Sequence, residues 1–306
     1  MARVCEELFP KGTFPYQKRD GYYMNDILKE QLDIYIKNVR KDWDFVIIIA
    51  GEGEVRVGKS VLAQQIATYW TQQIKEKHGI DVPFNLKQNM VFNGADLIKR
   101  GNALGVKHPY SVLIFDEAGA DLEGIKAMRY TTQAVKDYLR ECGQYNMLTI
   151  LVLPEYFDLP KGVALSRSNC LINVYWIGDA DGNMNRGYFK YYSRPNKKKL
   201  YLRGKRDLDY NAWKQDFFGG FDNVFTLPEE EYREEKRKAL KNREKISSKE
   251  IRWREWLRAS LLLLCDKYNL SYRELSDEMK MVSKIPISHV WIGKIINRER
   301  EEDEET

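Results

Sequence analysis

The stretch Phe45–Leu62, FVIIIAGEGEVRVGKSVL, decides the fold. It opens with an apolar run, Val46–Ala50, that predicts a short strand buried on both faces. A loop, Gly53–Ser60, follows this strand, and the residues after the loop carry apolar side chains at helical spacing. Similar apolar runs recur at 112–115, 147–153 and 171–177, with helical patterns between some of them. This alternation predicts an α/β domain with a mostly parallel sheet flanked by helices.

The loop has the pattern Gly-x-x-x-x-Gly-Lys-Ser, which is typical of a phosphate-binding site. Its two glycines allow the backbone N–H groups to point inward, and the start of the following helix favours an anion. Lys59 is expected to reach the β- and γ-phosphates, and the Ser60 hydroxyl to join the coordination of Mg²⁺. We therefore expect ATP and Mg²⁺ as cofactors. The predicted nucleotide-binding residues are Gly53, Glu54, Val55, Arg56, Val57, Gly58, Lys59, Ser60 and Val61.

A second motif, Ser111–Gly119 (SVLIFDEAG), places two acidic residues directly after an apolar run. Asp116, at the carboxyl end of a buried strand, is expected to hold Mg²⁺ directly or through water. Glu117 is expected to polarise the attacking water as a general base. The alternative is a strand that ends at a solvated acidic turn. The phosphate-loop pattern upstream favours the catalytic interpretation, in which Lys59, Asp116 and Glu117 carry the chemistry.

Composition sets limits on the class of protein. The 306 residues are 43% hydrophobic and 31% charged, with a formal net charge of +5. No apolar run approaches the roughly 18 residues of a membrane span, and the N-terminus has no apolar signal core. The cysteines are scattered without a Cys-x-x-Cys pair, which favours reduced thiols and a cytoplasmic location. They are Cys5, Cys142, Cys170 and Cys265.

Shifts in composition predict the domain organisation. The expected segments are an N-terminal arm (1–22), a nucleotide-binding domain (23–226), a charged, solvent-exposed linker helix (227–250), a small all-α domain (251–298) and an acidic tail (299–306).

A β-hairpin is expected at about 171–206, and it ends in a basic run. Cations interleaved with tyrosines suit contacts to a nucleic-acid backbone, although a lysine-rich hairpin edge that blocks aggregation has the same pattern. The candidate DNA-binding residues of this run are Lys197, Lys198, Lys199, Arg203, Lys205 and Arg206.

The C-terminal segment predicts helices with the spacing of a helix-turn-helix unit. Ser271 and Glu274 have the spacing of a capping box at the start of its second helix. The third helix would enter the major groove of DNA, while the alternative is a helical bundle that binds protein or packs on the rest of the chain. The candidate DNA-binding residues here are Ser288, His289, Lys294 and Asn297.

With both motifs placed, residues 40–180 resemble the FtsK/HerA class of P-loop motor ATPases. That class includes DNA translocases, packaging ATPases and zonular-occludens-toxin-like proteins. The resemblance implies a P-loop NTPase with a RecA-like sheet that works on DNA as a ring, usually a hexamer, often in a virus or plasmid. It also implies an arginine that reaches the neighbouring subunit's γ-phosphate. The candidates by position are Arg129, Arg140 and Arg167.

The sequence departs from this class at Pro154-Glu155, where the class usually carries a glutamine that senses the γ-phosphate. Leu165–Ser168 also resembles a segment of AAA+ clamp loaders. Two alternatives therefore stay open: an AAA+-type helicase loader or replication initiator, and a DNA-binding nucleotide switch without sustained hydrolysis. Replication, transfer or packaging proteins are expected as further partners.

Overall fold

The computed structural model describes residues 3–4, 21–54, 56–122, 130–282 and 288–302. The strands are β1 (Arg3–Val4), β2 (Tyr23–Met24), β3 (Phe45–Gly51), β4 (Met90–Val91), β5 (Val112–Phe115), β6 (Leu148–Glu155), β7 (Cys170–Gly178), β8 (Met184–Ser193) and β9 (Phe217–Gly220). The α-helices are α1 (Asp26–Val39), α2 (Lys59–His78), α3 (Leu86–Asn89), α4 (Gly94–Lys107), α5 (Gly119–Leu122), α6 (Tyr130–Glu141), α7 (Arg194–Gly204), α8 (Glu229–Tyr268), α9 (Tyr272–Val282) and α10 (His289–Glu302).

The main sheet of the described residues has the strand order β4-β5-β6-β3-β7-β8-β9. The five strands β3, β4, β5, β6 and β7 run parallel to one another, and β8 and β9 extend the sheet in antiparallel pairing. The carboxyl ends of β3, β5 and β6 therefore meet at one edge of the sheet, which is where ligands bind in parallel α/β folds. The predicted α/β class, with a mostly parallel sheet flanked by helices, is confirmed.

The core forms because the central strands are apolar at each position. All of β3 and all of β5 are buried, and alternate residues such as Val46, Leu113 and Leu151 join one hydrophobic cluster. Side chains alternate between the two faces of a strand, so the burial of every residue of β3 means that both of its faces are covered. This explains why its sequence is continuously apolar rather than alternating. The two predicted motifs are thus fixed on the least deformable part of the chain.

The expected hairpin is only partly correct. Strands β7 and β8 pair antiparallel, with Leu171 opposite Tyr192, but the basic run that follows is helix α7. The predicted continuation of the hairpin to residue 206 is therefore wrong. Pro195 stands in the first turn of α7, where its fixed φ and missing N–H are tolerated. The buried residues of α7 also follow the i, i+3, i+4, i+7 pattern of a helix: Lys197, Leu200, Tyr201 and Gly204.

The chain divides into two compact units, Met1–Lys236 and Arg237–Thr306. In the second unit Leu261, Leu275, Ile292 and Ile296 form a small buried cluster. The capping box at the start of α9 is present, because Ser271 N donates to Glu274 Oε2 at 2.8 Å and Glu274 N donates to Ser271 Oγ at 3.3 Å. Within the described part of the chain, no helix combines the length and apolar character that a membrane span requires.

Candidate active site

The loop after β3 has the backbone that its glycines predict. Gly53 and Gly58 have φ values of 75° and 104°, in the left-handed region that favours glycine. A Cβ on Gly58 would lie 3.0 Å from the ring of Phe221, so a larger residue there would be both strained and crowded. Arg56 is exposed and also has a positive φ, of 64°. Val55 lies outside the described residues.

Lys59 opens helix α2 and lies against the loop. Its ammonium donates to the Glu54 carbonyl, and a Cβ on Gly51 would come within 3.0 Å of Lys59 Nζ. Burial lowers the pKa of Lys59, although the nearby carboxylates of Glu117 and Asp116 oppose this shift. The N-cap of α2 is Gly58, which has no side chain that could accept hydrogen bonds from the backbone N–H groups of the first turn. These N–H groups are therefore suited to bind an anion.

Asp116 lies at the end of β5 and is 1% exposed. Its Oδ1 accepts a hydrogen bond of 3.0 Å from Ser60 Oγ, across 56 positions of sequence. Its backbone N–H donates to the Val91 carbonyl at 2.9 Å, which fixes the turn after the strand. The hydroxyl and carboxylate oxygens of this pair are hard donors of the kind that Mg²⁺ prefers, so the residues fit that ion.

Glu117 has a φ of 62°, in the left-handed region. A non-glycine residue there is uncommon and costs on the order of 1 kcal/mol, so the surrounding structure must hold it. The next residue, Ala118, donates its N–H to the Val152 carbonyl of β6 at 2.9 Å, so the strained turn is held against the sheet. This unit thus has the mostly parallel sheet and the glycine loop that the sequence predicted for a P-loop NTPase.

Two residues that sequence analysis missed complete the P-loop site. Tyr232 OH donates to Asp116 Oδ2 at 2.7 Å, and Lys236 Nζ lies 2.6 Å from Glu117 Oε1 and 3.3 Å from Asp116 Oδ2. Burial alone would lower the pKa of Lys236, but Asp116, Tyr232 and Glu117 outweigh it and raise the pKa above its ordinary value. Tyr232 is 6% exposed, so the face of α8 that carries Tyr232 and Lys236 is packed, contrary to the expectation of a wholly solvent-exposed helix.

Glu155 ends β6 at the position where a sensor was expected. Its carboxylate oxygen Oε1 accepts from Phe157 N at 3.1 Å and lies 2.6 Å from Tyr210 OH. Burial raises the pKa of this carboxyl group. The side chain thus ties the end of β6 to Tyr210.

The three candidate arginines differ in their surroundings. Arg167 forms an ion pair with Asp44 and donates to the Leu139 carbonyl, with its side chain only 16% exposed. The expectation that Arg167 reaches a neighbouring subunit is therefore wrong for this arrangement, because the guanidinium is used inside the fold. Arg140 has a side chain 64% exposed beside Asp137. Arg129 lies outside the described residues.

The basic run also divides into buried and exposed residues. Lys197 is 0% exposed and donates to the Ala164 carbonyl, so its expected role in DNA contact is wrong. Lys199 and Arg203 lie over the Trp213 ring, at 4.6 and 4.4 Å from its centroid. The other candidate residues of this run are exposed, on α7 or just after its end: Lys198, Lys199, Arg203, Lys205 and Arg206.

The candidate residues of the third C-terminal helix lie at its start and along its length. Ser288 caps α10, because its Oγ accepts from Trp291 N at 3.2 Å. His289 is exposed. The side chains of Lys294 and Asn297 lie outside the description.

No protein-family model matches this sequence, and no curated protein matches it. Among solved structures the chain is similar to the genome packaging NTPase B204 of Sulfolobus turreted icosahedral virus 2 in complex with ATP-gammaS, with 13% identity over 50% of this chain and 94% of that one and a TM-score of 0.34. It is also similar to the N-terminal domain of zonular occludens toxin from Neisseria meningitidis (10% identity, 49% and 84% covered, TM-score 0.32).

A KaiC-like protein from Pyrococcus horikoshii is a further similar structure, with 10% identity, 63% and 88% covered and a TM-score of 0.31. The first two structures are a genome packaging NTPase and a zonular occludens toxin domain, kinds of protein that the sequence resemblance also names. At these scores the likeness adds no argument about activity. The fold assignment rests on the sheet order and the loop geometry described above.

Proposed function

We propose that this chain is a Mg²⁺-dependent ATPase. One observation carries the proposal: the fold brings Ser60 Oγ to 3.0 Å from Asp116 Oδ1, beside Lys59 and Glu117, although the two motifs are far apart in sequence. Phosphate-binding and acidic groups thus converge at one edge of the parallel sheet. A site for binding alone does not need the second carboxylate, Glu117, so its presence favours hydrolysis.

Each residue has a distinct role in this proposal. The loop amides and Lys59 bind the phosphates, and Ser60 and Asp116 would hold Mg²⁺, which neutralises the phosphate charge when bound. Glu117 orients the attacking water and accepts its proton as the oxygen attacks the γ-phosphorus. The bond between the γ-phosphorus and the bridging oxygen then breaks, and ADP leaves with the electron pair.

We further propose that hydrolysis drives a ring-forming motor that acts on DNA, in packaging, translocation or transfer by a virus or mobile element. The exposed cations of α7 support this, because Lys199 and Arg203 present charge next to the Trp213 ring, a combination that suits phosphate and base contacts. Arg140 is the exposed candidate for a contact in trans. The C-terminal helices are proposed to hold DNA.

A second candidate is a nucleotide switch or AAA+-type loader that hydrolyses ATP slowly. The ion pair between Lys236 and Glu117 favours it, because the base is engaged within the protein itself. In that case the bound nucleotide would control assembly with DNA or other proteins, without continuous movement.

ATP hydrolysis measured with and without DNA separates the two candidates. A motor predicts that double- or single-stranded DNA raises the rate several-fold, and that Lys199→Gln combined with Arg203→Gln reduces this stimulation while the DNA-free rate stays as it was. Lys37→Gln, an exposed change on α1, is the matched control. Hydrolysis that is indifferent to DNA, with nucleotide-dependent DNA binding, would favour the switch.

A further inference from the structure

The first turns of α8 meet both acidic residues of the site. Lys236 and Tyr232 lie one helical turn apart on the same face of α8, so both reach the end of β5. Tyr232 OH and Lys236 Nζ share Asp116 Oδ2, at 2.7 and 3.3 Å, and Lys236 Nζ also holds Glu117 Oε1 at 2.6 Å. One ammonium group therefore bridges the carboxylate proposed as a metal ligand and the carboxylate proposed as the base.

The contact of Lys236 with Asp116 and Glu117 balances the negative charge of the site. Asp116 is 1% exposed and the side chain of the adjacent Glu117 is 35% exposed, so the buried carboxylate of Asp116 in particular needs a compensating cation. Lys236, with a side chain 26% exposed, supplies that charge. A bound Mg²⁺ would supply the same charge to Asp116, and two cations at one carboxylate repel each other.

The contact also occupies the oxygens that the proposed reaction requires. Asp116 uses Oδ1 for Ser60 and Oδ2 for Tyr232 and Lys236. Glu117 Oε1 holds an ammonium where it would otherwise hold a water. Lys236 therefore contacts two carboxylate oxygens, Asp116 Oδ2 and Glu117 Oε1, that the proposed reaction would use.

We propose that Lys236 is a positioning residue that holds Asp116 and Glu117 in a resting arrangement and is displaced when Mg²⁺ and ATP bind. The inference rests on the proposed ATP site. Its consequence is that the first turns of α8, Glu229–Lys236, change their contacts with the nucleotide state of the protein. Lys236 competes with the metal for Asp116, so it sets the Mg²⁺ concentration that the site needs.

The first test measures the binding of a fluorescent, non-hydrolysable ATP analogue to the full chain as Mg²⁺ is titrated. Lys236→Met keeps an unbranched apolar chain as far as Cε and removes the ammonium group, so it should lower the half-saturating Mg²⁺ concentration about tenfold. Lys236→Arg should restore the wild-type value, because the competing charge returns. Lys241→Met, at an exposed position of α8, is the matched control and should match the wild type. Equal values for Lys236→Met and Lys241→Met would overturn the proposal.

The second test needs no variant. Hydrogen exchange of the peptide covering 229–240 is compared in nucleotide-free protein and with Mg²⁺ and the same analogue. Displacement of Lys236 predicts faster exchange in this peptide once the analogue is bound, while β3 and β5 stay protected. Unchanged exchange at saturating analogue would overturn the proposal and leave the ATP site intact. Failure of the analogue to bind at any Mg²⁺ concentration would instead reject the ATP site itself, and this inference with it.

Discussion

Buried and partly buried cations fall into two groups in this chain, those at the proposed site and those that hold the fold. Lys59 and Lys236 lie among the acidic residues at the carboxyl edge of the sheet. Lys197 and Arg167 have similar charges, but they bind the backbone and Asp44 inside the domain. The residue type alone does not separate the two groups. Their neighbours in space do.

Lys197 gives a prediction about pH. Burial lowers the pKa of Lys197 to about 8, below its ordinary value of 10.5. Between pH 8 and 10.5 the unfolded chain therefore binds more protons at this lysine than the folded chain, and stability rises with pH in that window. Across this pH range the free energy of unfolding of the wild type should rise by up to about 3 kcal/mol relative to that of Lys197→Met. Chemical denaturation at several pH values measures the difference, and a wild type that gains nothing would contradict it.

Arg167 gives a prediction about stability. Arg167→Gln removes an ion pair and leaves Asp44 and the Leu139 carbonyl short of a donor, so the free energy of unfolding should fall by about 2–4 kcal/mol. Arg140→Gln, at an exposed position, should change it by less than about 0.5 kcal/mol. Thermal or urea unfolding of both variants makes the comparison. Equal small effects would show that the Arg167 contacts contribute little.

At the scale of elements, the sequence predicted those parts whose signals are local. The strand, loop and helix at 45–78 were predictable because apolar runs and glycine positions determine each of them directly. Helix α7 carried a local signal as well, in Pro195 and in the spacing of Leu200, Tyr201 and Gly204, but its lysines favoured a hairpin edge. Lys197 is buried on the same helical face, so a lysine in this run does not mark a solvated edge.

The contacts of Tyr232 and Lys236 were not predictable in this way. Tyr232 lies 116 positions from Asp116 in the sequence, and Lys236 lies 120 positions from it. A run of charged residues at helical spacing, such as the start of α8, is typical of a solvated helix. Tertiary packing determines which turn of α8 meets the site. A single tyrosine in an acidic run, with a lysine four residues later, was the available signal.

Helix α7 gives a prediction about DNA. Lys198 and Arg206 are exposed near its two ends, so neutralising both should remove about two phosphate contacts. When the logarithm of the DNA-binding constant is plotted against the logarithm of the salt concentration, the slope should then decrease in magnitude by roughly two. Lys37→Gln with Lys41→Gln changes the same net charge elsewhere on the surface and is the control. A slope that falls equally in both double variants would assign the effect to net charge rather than to α7.

At the scale of the whole molecule, the two compact units have cores of different size. The second unit is organised around Leu261, Leu275, Ile292 and Ile296. Among the described residues this core is small, and a small core leaves little margin of stability. Each of its members therefore matters more than a residue of the large sheet core.

Ile292 tests this division. It is 0% exposed in the second unit, so Ile292→Ala should destabilise that unit by about 2–5 kcal/mol. Val290→Ala, on the same helix but 55% exposed, should have little effect. Hydrogen exchange by peptide should show the loss of protection in α9 and α10, with β3 and β5 unchanged. Loss of protection throughout both units would contradict the division.

Lys59, Ser60, Asp116 and Glu117 together form the proposed site of ATP hydrolysis. The most direct measurement is phosphate release at saturating ATP and Mg²⁺, together with nucleotide binding, in wild type, Lys59→Ala, Glu117→Gln and the surface control Glu30→Gln. We predict that Glu117→Gln binds ATP but loses at least about 100-fold in rate, that Lys59→Ala loses tight binding, and that Glu30→Gln matches the wild type. Hydrolysis by Glu117→Gln at the wild-type rate would contradict this proposal.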